Sequence, residues 1–280
     1  MGKGGFTIGV VAPAARIDAA IAEAVTALAE RLYPRRPPVL RFHPQCYLSA
    51  GHFAGTDPER AAAVIEVAND PAIDAVWFVR GGYGSNRIVE RVLPALGAAA
   101  REKIYLGYSD IGTMLAALYG AGFPRVAHGP MATEIPRRNG AEAVTRALRF
   151  LVEGDATTIE ASVGAAPTAA FNITILSHLI GTPLQPDLAG HVLMLEDVGE
   201  AMYRIDRALW HITSNPAIRR VAGIRLGRCS LITANTPDFG QDEETVARHW
   251  CAVSGIPYLG RADIGHDTDN KVVPFGTWRP

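Results

Sequence analysis

Lys103–Gly120, KIYLGYSDIGTMLAALYG, joins an apolar run to a helical run through a four-residue turn. Ile104, Tyr105 and Leu106 read as the end of a buried strand, and from Ile111 the apolar residues Met114, Leu115 and Leu118 recur at helical spacing. Gly107-Tyr108-Ser109-Asp110 is then the strand-to-helix turn, and it aims the Ser109 hydroxyl out of the carboxyl end of a sheet. A serine there stands at the positive end of a helix, beside unpaired backbone N–H groups that can hold a developing oxyanion. The same position suits a helix cap, because Ser and Asp are both favoured there. The segment alone leaves both roles open.

Outward from this turn, strand and helix signals alternate. Phe6–Ala12, Val39–His43, Ala75–Val79 and Arg125–Ala127 read as further strands, with helices over Ile17–Arg31, Pro58–Asn69, Ile88–Leu96 and Glu142–Leu151. AVWFV at Ala75–Val79 is an uninterrupted apolar run of the kind buried in a parallel sheet. The pattern predicts an α/β domain with a mostly parallel sheet over residues 1–152. At Glu153–Ala170 small residues and threonines dominate and helical periodicity disappears, which marks 153–170 as the crossing to a second domain, 171–280. There helices are expected at Ile173–Ile180, Tyr203–Ile212 and Glu243–Val253. Strands are expected at His191–Leu195, Val221–Leu226 and Ser230–Ala234, with extended chain at Pro257–Asp263 and Lys271–Pro274.

Composition narrows the function classes. The 280 residues carry 27 basic and 28 acidic side chains, so no strongly basic surface is offered to nucleic acid. Cys46, Cys229 and Cys251 form an odd, sparse set without a C-x-x-C pair, which argues against a disulfide framework and fits a reducing compartment. No run reaches 18 apolar residues, and the first apolar run is too short for a signal-peptide core. A cytoplasmic protein without a membrane span is the expectation.

Three residues at strand ends carry acyl-transfer chemistry if they meet: Ser109, Glu196 and His266. Glu196 closes the apolar run HVLML, where a buried carboxylate demands a partner. Asp197 and Glu200, by contrast, suit capping of the next helix or pairing with Arg204 and Arg207. His266 lies in a polar loop, Asp263–Asp269, and an imidazole with a pKa near 6.5 is the natural base for a serine. Arg80-Gly81-Gly82-Tyr83-Gly84-Ser85 follows the AVWFV strand, and its glycines let a ligand oxygen approach bare N–H groups. It is neither a dinucleotide fingerprint nor a phosphate-binding P-loop. His43 and His52 flank a glycine-containing loop and suit either a cleft or the surface. The histidines show no metal-ligand spacing.

The chain resembles the LD-carboxypeptidase family of serine peptidases. The matching pieces are VVAPA (Val10–Ala14), FAGTDPER (Phe53–Arg60), VRGGYGSNR (Val79–Arg87), GYSDIGT (Gly107–Thr113) and HGP (His128–Pro130). They continue as LIGTP (Leu179–Pro183), LEDVGE (Leu195–Glu200), YRIDRAL (Tyr203–Leu209) and IGH (Ile264–His266), in family order. The resemblance implies a Ser109 nucleophile, a Glu196 acid and a His266 base, with the amides of Gly82 and Asp110 as oxyanion donors. Arg80, Arg87 and the Gly81-containing loop are candidates for holding a substrate carboxylate. It further implies a smaller, β-rich α+β second domain, a homodimer, and no metal or cofactor. The expected substrate is a small peptide with a free terminal carboxylate, murein tetrapeptide losing D-alanine. A microcin-C-like immunity amidase acting on aminoacyl-nucleotide analogues and a non-catalytic binding module are the alternatives. Where many relatives carry Gly-Gly-Asn, this chain has Ala169-Ala170-Phe171-Asn172, which should stiffen or narrow that side. The chain is also shorter than typical microcin immunity relatives, leaving little room for nucleotide-recognition loops.

Overall fold

AVWF at Ala75–Phe78 forms a strand with every residue buried, and its side chains alternate between two cores. Val76 and Phe78 enter one apolar cluster, Ala75 and Trp77 the other, which is what a sheet covered on both faces requires. The computed structural model describes residues 5–278, so Met1–Gly4 and Arg279–Pro280 of the two expected units lie outside the described residues.

In the first unit the strands are β1 (Thr7–Val11), β2 (Val39–Phe42), β3 (Ala75–Phe78), β4 (Ile104–Gly107) and β5 (Val126–His128), all parallel. The helices are α1 (Ala19–Leu32), α2 (Asp57–Asn69), α3 (Val89–Val92), α4 (Ala98–Arg101), α5 (Gly112–Gly120) and α6 (Gly140–Glu153). α1 packs with α6, and α2 with α3 and α4. Thr56 and Glu59 close a capping box on α2, with Pro58 in its first turn as expected.

The second unit is a four-stranded sheet of β6 (Thr168–Asn172), β7 (Val192–Val198), β8 (Gly223–Ser230) and β9 (Tyr258–Arg261), in that spatial order. Expected as a β-rich α+β unit, it has all four strands parallel. Its helices are α7 (Ile173–Leu179), α8 (Met202–Ser214) and α9 (Glu243–Ser254). The chain then returns: β10 (Val273–Pro274) pairs antiparallel with β5, giving a six-stranded first sheet ordered β10-β5-β4-β3-β1-β2. Gly276 exchanges both backbone hydrogen bonds with Thr168, so this returning strand stitches the two sheets together. Phe171, Ile173 and Leu176 share one apolar cluster with Met114, Leu115 and Leu118, and the units therefore meet through a common core.

Two expectations change. Ile88–Leu96 is not one helix: α3 stops after four residues and a 3-10 turn, Leu93–Ala95, follows. Pro94 has no N–H to donate back to the Glu90 carbonyl, so the α-helical ladder ends there. Val221–Leu226 and Ser230–Ala234 are not two strands either, because β8 runs from Gly223 through Ser230, and the chain turns at Leu231 with φ 52°. Arg225 and Arg228 interrupt the apolar pattern inside that continuous strand. Among the described residues, no helix is long and apolar enough to cross a membrane.

Candidate active site

Ser109 takes φ 63°, left-handed backbone that costs a non-glycine residue about 1–2 kcal/mol. It opens a 3-10 turn, Ser109–Ile111, that leads directly into α5, and its side chain caps nothing. The hydroxyl instead meets His266 Nε2 at 3.0 Å. The capping alternative therefore fails: the left-handed backbone projects the hydroxyl toward the imidazole.

His266 Nδ1 lies 2.5 Å from Glu196 Oε2, and the Glu196 side chain is wholly buried. A carboxylate in that setting fixes the tautomer, with Nδ1–H donating to Glu196 and Nε2 left to accept from serine. β7 delivers Glu196 through an irregularity. Leu195 pairs with Leu226 but Asp197 with Cys229, so Gly227 and Arg228 together oppose Glu196. Such bulges re-aim side chains. Gly227 is needed there, since a Cβ on it would stand 2.9 Å from the Glu196 Cβ and 2.7 Å from the Ile264 carbonyl. Burial alone would push the His266 imidazole down, but the Glu196 charge and hydrogen bond, with Asp197 and Glu134 behind, hold it above the ordinary histidine range.

The neighbouring acids take other tasks. Asp197 accepts from the Asn172 amide, the Thr174 N–H and hydroxyl, and the Val198 N–H, so it organises the start of α7. Neither it nor Glu200 caps α8; Glu200 pairs with Arg204 at 3.4 Å on the surface. Asn172 caps α7, while Ala169, Ala170 and Phe171 are buried in β6. His43 accepts from the Gln45 N–H at 3.1 Å. His52 stacks edge-on with Phe53 and faces Tyr83.

The glycine loop abuts Ser109. A Cβ on Gly81 would lie 3.0 Å from Ser109 Oγ, and Gly82 and Gly84 have φ 113° and 124°. Asp110 pins the loop by accepting from the Gly84 and Ser85 N–H groups, while the Ser85 hydroxyl donates to the Asp110 carbonyl at 2.6 Å. Beneath it, fully buried Arg60 donates to the Gly84 carbonyl at 2.8 Å and to the Pro13 carbonyl, and pairs with Asp57. Arg80 is exposed and donates to the Arg16 carbonyl at 2.9 Å.

Two domain models match this chain, the LD-carboxypeptidase N-terminal domain at residues 8–129 and the LD-carboxypeptidase C-terminal domain at 166–279. The chain belongs to the LD-carboxypeptidase family. The murein tetrapeptide carboxypeptidase of Pseudomonas aeruginosa is 28% identical over 247 residues, covering 80% of this chain and 78% of that one. The crystal structure of muramoyltetrapeptide carboxypeptidase from Oxalobacter formigenes superposes with a TM-score of 0.79 at 23% identity, over 96% of this chain and 93% of that one. The microcin C7 self immunity protein shares the fold at a TM-score of 0.78 and 19% identity, over 97% and 91% of the two chains.

Within this LD-carboxypeptidase fold, the sequence reading missed what holds the His266 loop. Arg228 pairs with Asp263 and Asp267 on either side of the histidine. Arg146 on α6 donates to the carbonyls of Thr268 and Asn270 at 3.0 and 2.9 Å. Asn270 Oδ1 accepts from the Gly265 N–H, which fixes its orientation, and from His128 Nε2. Burial pushes the His128 imidazole down to about 4, so it is neutral and a donor there. The sequence signal was faint: arginines at strand or helix positions with no periodic reason to be there.

Proposed function

We propose that this protein is a serine carboxypeptidase that hydrolyses the L,D-peptide bond releasing terminal D-alanine from murein tetrapeptide in cell-wall recycling. The single observation that carries the catalytic part is the Ser109–His266–Glu196 chain, with contacts of 3.0 and 2.5 Å. Ser109 Oγ attacks the scissile carbonyl as its proton passes to His266 Nε2, and Glu196 steadies the imidazolium. The oxyanion sits against the backbone N–H groups of Gly82 and Asp110. His266 then protonates the leaving amine, D-alanine departs, and a water activated by the same imidazole hydrolyses the acyl enzyme. Gly81 keeps the loop close enough for this. Arg80 has no acidic partner among the described residues, whereas Arg87 pairs with Asp57 at 2.9 Å, so Arg80 is the better receptor for the terminal carboxylate.

The same reading assigns the nucleophile to a unit spanning 1–152, the acid and base to 171–280, and the crossing to 153–170. It includes a cytoplasmic homodimer, for which the three unpaired cysteines support a reducing compartment.

One observation favours the microcin-type substrate. Trp210 is 49% exposed and lines a cavity of about 420 Å³ with Arg204 and Arg207, an aromatic face and cations of the kind a nucleotide analogue uses. Purified protein should be given the L,D-linked tetrapeptide, its all-L counterpart and an aminoacyl sulfamoyl nucleotide, with released products identified by mass. D-alanine release from the L,D peptide alone is expected. Cleavage of the nucleotide analogue in its place would move the assignment to the immunity amidase, and no turnover of any of the three would favour a binding module.

A further inference from the structure

We propose that Tyr108, Glu134 and Arg137 form a positioning bridge that holds nucleophile and base in register across the two units. It rests on the catalytic reading of Ser109 and His266. The bridge starts from a buried charge. Glu134, in the 3-10 turn Ala132–Glu134 after β5, is 3% exposed, and a carboxylate so placed must be paired. Both its oxygens are used: Oε1 accepts from the Tyr108 hydroxyl at 2.5 Å and Oε2 from Arg137 at 2.5 Å. The second terminal nitrogen of Arg137 donates to the His266 carbonyl at 2.8 Å.

Tyr108 is bonded to Ser109, so the contacts close a ring. It runs from Ser109 through Tyr108, Glu134 and Arg137 to the His266 backbone, and back through the imidazole to Ser109 Oγ. The Tyr108 ring also lies against the imidazole, with centroids 4.9 Å apart. Burial and then the Glu134 charge hold the Tyr108 phenol well above its usual range, so it stays a donor. None of the three residues hydrogen-bonds to Ser109 Oγ or to a ring nitrogen of His266, whose partners are each other and Glu196; they act through the groups they hold. The need for such a hold is geometric, because a misplacement of roughly 1 Å between reacting groups costs on the order of 10²-fold in rate.

Glu134 also acts on the charge of the base. The groups facing His266 are Glu196 and Asp197 from β7, Glu134 and Arg137 from the turn after β5, Tyr108 from the end of β4 and neutral His128 from β5. Asp267 beside it, and Asp263, are held by Arg228 from β8. Glu134 is thus one of three carboxylates that raise the imidazole against its burial.

The test uses the full chain and the L,D-linked tetrapeptide. Arg137 is 46% exposed on its side chain, so Arg137→Met leaves the core untouched. We expect it to lower kcat of the folded enzyme by roughly 10- to 100-fold, with KM within about twofold, and to lower the thermal midpoint as well, because buried Glu134 loses its cation. Arg137→Lys should recover part of the loss, and Tyr108→Phe, which keeps the ring, should resemble Arg137→Met. Glu134→Gln should move the acid limb of kcat/KM to lower pH; should that variant not fold, the Arg137 pair decides. Wild-type kcat in Arg137→Met, a loss confined to KM, or an unmoved acid limb in folded Glu134→Gln would each overturn the bridge. Ser109→Ala, run alongside, separates the two claims. Activity in Ser109→Ala overturns the catalytic reading, whereas inactive Ser109→Ala beside fully active Arg137→Met overturns the bridge alone.

Discussion

Ser109 and His266 face each other at 3.0 Å, yet they are held by different means. Ser109 sits in the sharp turn between a buried strand and the following helix, and takes its left-handed φ of 63° there. His266 sits on a loop without regular structure. Its restraints are Arg228, 39 residues from Asp267; Arg146, 124 residues from Asn270; and Arg137, 129 residues away. One side is preorganised by local backbone, the other by side chains brought in by the tertiary fold. Local backbone strain of about 1–3 kcal/mol survives only where its surroundings over-determine it. The loop, by contrast, depends on partly exposed arginines, Arg228 through ion pairs and Arg137 and Arg146 through backbone carbonyls, contacts that are worth little alone and more as a network.

The largest expected effect comes from removing the hydroxyl itself. Ser109→Ala should lower kcat by roughly 10⁴-fold or more, and adding His266→Ala should cost little further, because triad losses are strongly non-additive. Ser109→Gly should be equally inactive but melt at a higher temperature than Ser109→Ala, because glycine accepts positive φ without strain. Equal melting of the two would contradict the idea that the nucleophile side stores local strain.

Gly81→Ala and Arg228→Met test the two sides separately. A Cβ on Gly81 would meet the Ser109 Cβ at 2.8 Å and its hydroxyl at 3.0 Å, so something at the nucleophile must shift. The expected loss in kcat is on the order of 10²-fold, by misplacement. Arg228→Met frees Asp263 and Asp267 but leaves Arg137 and Arg146 on the loop, and a smaller loss of about 10-fold is expected. Steady-state kinetics with circular dichroism on both variants would check the order. A larger loss in Arg228→Met would mean that one ion-pair cluster, not a distributed set, holds the base.

The same difference governs what the sequence made legible. The turn at Ser109 is written in contiguous residues, an apolar run, a tight turn and a helical period, so strand, turn and helix were readable from the pattern. The AVWF strand and the helix opening at Pro58 were readable for the same reason. Glu196 was readable as the end of an apolar strand, though not the bulge opposite Gly227 that aims it. His266 emerged from the residues only as a polar-loop histidine, and its role came from resemblance to a family. Nothing in local spacing reveals that Arg137, Arg146 and Arg228 converge on one loop, nor that β10 returns to the first sheet. Long-range pairing leaves no period. Pro94 and the arginines inside β8 misled where local pattern and tertiary placement disagree.

The smallest effect, and the one that best tests the electrostatics of the base side, is a displacement along the pH axis. His266 accepts a proton only when neutral. Burial lowers its affinity for protons, but Glu196 first, then Asp197 and Glu134, raise it above the ordinary 6.5. kcat/KM should therefore rise with pH through a midpoint above 6.5. Stability linked to this group runs the other way: a raised folded pKa stabilises the protein below the unfolded value, and that contribution is lost as pH rises through the folded one. Glu196→Gln removes the strongest raising charge, so its activity midpoint should fall below that of the parent while its plateau drops. Relative to the parent, the variant should look least impaired at acid pH, and its thermal midpoint should lose the acid-side gain. An unmoved activity midpoint in Glu196→Gln would mean that the carboxylate orients the imidazole without setting its charge.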